Sequence, residues 1–263
     1  MELEKLKEQS YYSDPTGFLL FGDCLDWMQE IPDKSIDMIF CDLPYGTTSC
    51  KWDTIIPFEP LWHQYKRIVK DDGCIALFGS EPFSSYLRLS NIENYKYDWI
   101  WNKKWGGNFQ LANKMPLKTH EIISIFNSNI YYPIKEKRLK EKDYRNSSYD
   151  AMQNGMHFSS KDFEQAKIIR KDKFPISIVE YGAQSKECNN VNRLHSMQKP
   201  VDLCEYIIKT YTKENELILD NAAGSCTIAI SCKNIGRKWI CIEKEEKYCA
   251  IGKTRIEEYN SKK

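Results

Sequence analysis

The sequence predicts an α/β protein built on a largely parallel sheet, and three observations carry that prediction. Short apolar runs alternate with longer amphipathic ones over most of the chain, which is the pattern of repeated strand and helix units. Several short runs are apolar at nearly every position rather than at every second one, as expected of strands covered on both faces. Pro, Gly, Asp and Ser gather at the ends of these runs, so each run stops abruptly.

The expected strands are Gly17–Phe21, Ile36–Cys41, Cys74–Phe78, Tyr97–Trp101, Ile122–Phe126, Leu217–Asp220 and Trp239–Ile242. Between them fall helices over Cys24–Glu30, Phe58–Val69, Pro82–Asn91, Val201–Tyr211, Thr227–Asn234 and Glu245–Tyr259. Asp23 reads as the N-cap of the first helix, Gly73 as the stop after Lys70-Asp71-Asp72, and Pro200 as a first-turn proline. The pattern breaks between Asn127 and Leu194, where Ser, Asn and Lys cluster and 13 Lys or Arg face 9 Asp or Glu. With Tyr144, Tyr149, His157, Phe158 and Phe174 interleaved, this stretch reads as a solvated insertion or as a surface for phosphates and bases.

A chain of 263 residues with 29% charged residues can bury a full core, and its net charge of +1 requires any nucleic-acid surface to be a local patch. The ten cysteines show no C-x-x-C pair, which points to free thiols in a reducing compartment and away from a metal site. The charged start Met1-Glu2-Leu3-Glu4-Lys5 lacks the apolar core of a secretion signal, and no run approaches a membrane span. A cytoplasmic location is expected.

Three constellations carry chemistry. Asp42-Leu43-Pro44-Tyr45 ends the Ile36–Cys41 strand and offers a carboxylate, a proline turn and an aromatic face at the edge where ligands of α/β sheets bind. It reads equally as a strand-to-turn junction. Leu219 to Thr227 runs from a strand through Asp220-Asn221-Ala222-Ala223-Gly224-Ser225-Cys226 into a helix, where glycine permits close approach and the helix start offers amide donors. Glu243 ends the next strand, where a carboxylate can accept ribose hydroxyls or simply begin a helix at the surface. In His195-Ser196-Met197-Gln198-Lys199-Pro200, Lys199 is able to pair with a ligand carboxylate. Trp99-Ile100-Trp101 reads as strand core, His120-Glu121 as structural, and Lys103-Lys104-Trp105-Gly106-Gly107-Asn108 as a mobile loop whose lysines attract phosphate.

Together these segments resemble the β-group of S-adenosylmethionine-dependent DNA amino-methyltransferases, in which the catalytic tetrapeptide precedes the cofactor turn. Asp42 to Tyr45 resembles the family's D-P-P-Y, Leu219 to Thr227 its L-D-P-F-x-G-S-G-T, and His195 to Pro200 its H-P-x-Q-K-P. The resemblance implies a Rossmann-like methyltransferase fold with helices on both faces and a circularly permuted motif order. It divides the chain into a first part (1–126), an inserted target-recognition region (127–194) and a cofactor-binding part (195–263).

The resemblance also implies that Asp42, Leu43, Pro44 and Tyr45 are catalytic. Asp23, Cys24, Asp42, Lys199, Asp220, Asn221, Ala222, Gly224, Ser225, Thr227, Glu243 and Lys244 then bind S-adenosylmethionine, and no metal is needed. Site-specific methylation of adenine N6 in double-stranded DNA is the implied activity, because the tetrapeptide begins with Asp. N4-cytosine methylation or a catalytically silent DNA-binding subunit are the alternatives. A homodimer and a cognate restriction endonuclease are implied partners. Leu43 departs from the family's first proline, and Asn221, Ala222 and Cys226 depart from its Pro, Phe and second Gly, which implies looser packing around the cofactor.

Overall fold

The computed structural model describes residues 2–47, 53–144, 168–182 and 198–261. The main unit comprises residues 1–132 and 177–263, and residues 133–176 form a second unit. Its sheet has nine strands in the order β1 (Tyr12–Asp14), β2 (Gly17–Phe21), β11 (Lys238–Glu243), β10 (Leu217–Asp220), β3 (Ile36–Cys41), β4 (Val69–Gly79), β6 (Lys118–Phe126), β5 (Tyr95–Gly107) and β9 (Ile178–Glu180). The five strands from β2 to β4 are mutually parallel, while β1 and β6 run against their neighbours. In the second unit, β7 (Glu136–Tyr144) pairs antiparallel with β8 (Ile168–Lys173).

Period-two alternation divides each central strand between two cores. Leu19, Met38, Phe40, Ala76, Phe78, Ile218, Trp239 and Cys241 face one core, and Phe18, Leu20, Ile39, Cys41, Ile75, Leu77, Leu219, Ile240 and Ile242 face the other. Helices α5 (Val201–Tyr211), α6 (Thr227–Asn234) and α7 (Glu246–Ser261) cover the first face. Helices α1 (Glu2–Glu8), α2 (Cys24–Glu30), α3 (Phe58–Ile68) and α4 (Phe83–Leu89) cover the second. The neighbouring strands β10 and β3 therefore send their following helices, α6 and α3, to opposite faces. A crevice must open between their carboxyl ends.

Three local expectations change. Helix α3 ends at Ile68, and Gly73 lies inside β4; a Cβ there would come within 2.8 Å of the Asp37 carbonyl, so this glycine permits strand approach and does not stop the helix. Pro200 caps α5 from outside, with φ −65° and ψ 130°. Strand β5 runs on from Trp101 to Gly107, and β9, within the stretch expected as an insertion, joins the main sheet. Trp99 and Trp101 are core residues as expected, and the Trp99 indole donates to the Tyr211 hydroxyl at 2.6 Å. All eight described cysteines are buried free thiols; Cys50 and Cys188 lie outside the described residues.

Cys226 sits at the start of α6 with φ +57° and is fully buried. Its side chain packs on Gly252 of α7, where an added Cβ would collide with the Cys226 sulfur. The side chain that stands in place of the family's second Gly thus enters the core, and a glycine on the facing helix makes room for it.

Overpacking of about 1–3 kcal/mol should outweigh the roughly 1 kcal/mol that alanine gains over glycine inside a helix. Gly252→Ala is therefore destabilising in the native sequence and neutral or stabilising beside Cys226→Ala, as read by urea unfolding of the four proteins of the cycle. An equal cost in both backgrounds would sink this packing account.

Candidate active site

The parallel strands deliver four carboxylates to one edge of the sheet: Asp23 after β2, Asp42 after β3, Asp220 at the end of β10 and Glu243 at the end of β11. They line a cavity of about 320 Å³. Every residue expected to act in catalysis or cofactor binding also lines it: Asp23, Cys24, Asp42, Leu43, Pro44, Tyr45, Lys199, Asp220, Asn221, Ala222, Gly224, Ser225, Thr227, Glu243 and Lys244. Cys226 does not. His195, Ser196 and Met197 lie outside the described residues.

Asp42 is held at both oxygens. The Tyr45 hydroxyl donates to Oδ1 at 2.6 Å, and the Lys199 ammonium lies 2.6 Å from Oδ2. Lys199 also lies 3.1 Å from Glu121 Oε2, and Lys103 pairs with the other oxygen of Glu121. Burial by itself would lower Lys199, but the Asp42 and Glu121 carboxylates outweigh it and hold the ammonium above the usual lysine range. Burial would likewise raise Glu121, yet Lys199 and Lys103 keep it below the ordinary carboxylate value. The sequence suggests a merely structural role for Glu121. It is instead a buried member of the site's ion network, only 8% exposed.

The tetrapeptide's remaining members are fixed by packing. Leu43 is buried, and among the described residues no group donates a hydrogen bond to its carbonyl. The Tyr45 ring lies against Phe83, with centroids 4.9 Å apart and planes tilted by 30°. Burial first, then the nearby Asp42 charge, pushes the Tyr45 hydroxyl well above its ordinary range, so it acts as a donor and not as a phenolate. Asp53 ties down the following loop by accepting from the Gly46 and Thr47 amides, each at 2.8 Å.

On the other side of the crevice, Glu243 is buried and is not the surface acid that its helix-opening position suggests. Its carboxylate accepts from the Gly224 amide at 2.7 Å and the Glu245 amide at 2.8 Å, while burial raises its pKa. Gly224 has φ +50°, and a Cβ there would meet nothing within 4 Å, so the turn leaves open space beside its backbone. Asp23 is the N-cap read from the sequence, accepting from the Leu25 amide at 3.0 Å, and its second oxygen meets Lys244 at 3.1 Å. Asn221 Oδ1 accepts from the Tyr65 hydroxyl at 2.6 Å, whereas its buried Nδ2 has no protein partner among the described residues. Burial pushes the Asp220 carboxyl up to about 7.

Six acids, with Asp53 and Glu245 added to the four strand-end carboxylates, against Lys199 and Lys244 make the cavity favourable to a cation. The orphaned Asn221 amide, the open cradle at Gly224 and the Glu243 carboxylate suit a ligand carrying ribose hydroxyls, a heterocycle and positive charge. S-adenosylmethionine has all three.

Comparison with known proteins agrees. Residues 36–254 match the N6/N4 family described as DNA methylase. The chain is 28% identical to the type II methyltransferase M2.LlaDCHI of Lactococcus lactis subsp. cremoris, over 95% of this chain and 93% of that one. It is 26% identical to M2.DpnII of Streptococcus pneumoniae over 97% and 95% of the two chains, and 25% identical to M.HinfI of Haemophilus influenzae over 94% and 70%. In fold it is similar to PvuII DNA methyltransferase (cytosine-N4-specific), with a TM-score of 0.65 at 14% identity over 94% of this chain and 88% of that one. It is also similar to M1.HpyAVI in complex with S-adenosylmethionine, with a TM-score of 0.57 at 20% identity over 90% and 98%. The match over most of its length means that this chain belongs to the N6/N4 family of DNA methylases, whose methyl donor is S-adenosylmethionine.

Proposed function

We propose that the chain transfers a methyl group to the exocyclic N6 of an adenine extruded from duplex DNA at a specific sequence. The observation that carries this reading is the Asp42 carboxylate, fixed by Tyr45 and Lys199 at the cavity edge beside the Leu43 carbonyl. The adenine amino nitrogen is a poor nucleophile because its lone pair is conjugated into the ring. Two acceptors that each accept a hydrogen bond from one of its N–H groups pull the nitrogen toward tetrahedral geometry and localise the lone pair. Asp42 and Leu43 are those acceptors, and their fixed orientation avoids reorganisation as charge develops.

Tyr45 supports the target base with its ring while its hydroxyl keeps Asp42 oriented. Glu243, Asn221, Asp23 and the Gly224 turn hold the cofactor, which supplies a methyl group already activated by a sulfonium. Extrusion of the base costs a few kcal/mol, offset by interactions within the pocket and with the displaced strand. Residues 127–194 are assigned target recognition, on their local excess of basic side chains interleaved with aromatics. Assembly as a homodimer and pairing with a restriction endonuclease belong to the same reading.

An Asp at position 42 favours adenine over the N4 of cytosine, whose enzymes in this family usually begin the tetrapeptide with Ser. Nucleoside analysis of duplex DNA incubated with the protein and S-adenosylmethionine is expected to yield N6-methyldeoxyadenosine. N4-methyldeoxycytidine alone would reverse the base assignment. Asp42→Ala should lower turnover by at least about a hundredfold while calorimetric titration still shows cofactor binding. An Asp42→Ala protein of full activity would overturn the mechanism, and a native chain that binds no cofactor would favour a silent DNA-binding role.

Asp220 supplies a pH test. Its folded pKa of about 7 lies above the ordinary 3.8, because burial disfavours the anion. The neutral acid therefore stabilises the ligand-free fold below 3.8, and that contribution is lost as pH rises toward 7. The cationic cofactor prefers the anion. Its affinity is expected to tighten as pH climbs through about 7 in the native protein and to stay flat over the same window in Asp220→Asn. Parallel pH profiles for the two proteins would remove Asp220 from cofactor binding.

A further inference from the structure

The hairpin joining β5 to β6 leaves the body of the sheet on the catalytic side. β5 runs parallel to β3 and β4, so its carboxyl end lies at the edge where Asp42 emerges. Trp101 is the last core residue, paired in register with Glu121, yet β5 continues over Asn102–Gly107, about 20 Å of further strand. The root of this arm is pinned at both strands. Lys103 pairs with Glu121, itself bonded to the Lys199 that holds Asp42, and Lys118 donates to Ser80 beyond the end of β4. Gly106 allows the strands to close, since a Cβ there would lie 2.7 Å from that of Leu117.

The outer part is built unlike an ordinary solvated turn. Trp105 is 77% exposed, Phe109 70% and Met115 51%. Asn108 takes a left-handed conformation, φ +62°, and starts the single turn Phe109–Leu111. Residues 102–120 hold four lysines and no acidic residue, in a chain whose net charge is only +1. Lys103 and Lys118 are engaged at the root; Lys104 and Lys114 are exposed farther out, Lys104 in a solvent-open pair with Glu180 at 3.4 Å that a phosphate can replace. Large aromatics left in water on a segment that carries lysines and no acid of its own fit a partner that is polyanionic and has flat apolar faces.

We propose that this arm grips duplex DNA beside the target base, with Lys104 and Lys114 on phosphates and Trp105 and Phe109 against the bases uncovered by extrusion. The proposal rests on the DNA substrate and base extrusion of the reading above. Its test measures binding and is therefore independent of which base is methylated.

The experiment is fluorescence anisotropy of a fluorescein-labelled, mixed-sequence duplex titrated with the full chain over a series of salt concentrations. In Lys104→Ala/Lys114→Ala the slope of log affinity against log salt is expected to shrink by about 2, close to one for each phosphate that is no longer neutralised. Lys104→Glu/Lys114→Glu should weaken binding further. In Trp105→Ala/Phe109→Ala affinity should fall at least about fivefold with the salt slope unchanged, as for loss of stacking. All variants should bind S-adenosylmethionine like the native chain, which separates loss of the arm from misfolding. The proposal fails if either pair leaves duplex binding unchanged, or if the native chain binds no duplex.

Discussion

The site depends on a single buried ammonium. Lys199 joins the Asp42 carboxylate just after β3 to Glu121 on β6, and its own segment leads directly into α5. Removing one member of such a network leaves an uncompensated buried charge, a loss of about 3–5 kcal/mol, so the geometry is held far more tightly than a surface ion pair would hold it. Residues far apart in the chain are thereby locked together where they meet. The same ion pair, with Tyr45 on the opposite oxygen, sets the direction in which Asp42 presents its remaining lone pairs. Positioning and charge at the reacting edge have one origin.

Beyond that ammonium's reach, the rest of the cavity holds an excess of acid. Four carboxylates converge because five parallel strands end at one edge, and convergence of like charge in a partly buried space is unfavourable. The strain shows at Asp220, whose acid is held near 7, and at Glu243, also raised by burial although two backbone amides stabilise its anion. A cationic ligand relieves this repulsion. The preference of this crevice for a cation thus follows from strand topology: it opens where β10 and β3 part their helices, and Asp220 and Asp42 stand at the ends of those two strands.

Much of this architecture is legible in the residues. β2, β3 and β10 have the bounds expected of them, because runs buried on both faces are closed by Pro, Gly or Asp. The four terminal acids can be located for the same reason. The outward reach of β5 is not legible: Asn102-Lys103-Lys104-Trp105-Gly106-Gly107 has no alternation, and it is extended because residues near Lys118 pair with it. Glu121 gives no signal of its role, since an acid before an apolar strand looks the same whether its partner is water or a distant lysine. Gly73 misleads because a glycine after a helix and a glycine at a close strand approach read alike. Cys226 reads as loosening the cofactor turn because its compensating partner, Gly252, lies on another helix.

Leu43 shows how the Asp42–Tyr45 tetrapeptide tolerates a departure from the family pattern it resembles. A proline there would fix φ and remove freedom from the unfolded chain, an advantage of about 0.4–1 kcal/mol. Leucine forgoes that, but its side chain is 3% exposed and packs in the core formed with Cys41, Leu77 and Phe83. Full burial of such a side chain contributes about 1.5–3 kcal/mol, more than the ring constraint it replaces. The backbone is therefore anchored by packing instead of by covalent geometry, and the carbonyl stays free of protein donors among the described residues. An acceptor that works through its main chain can change its side chain, provided the new one finds a core to hold it.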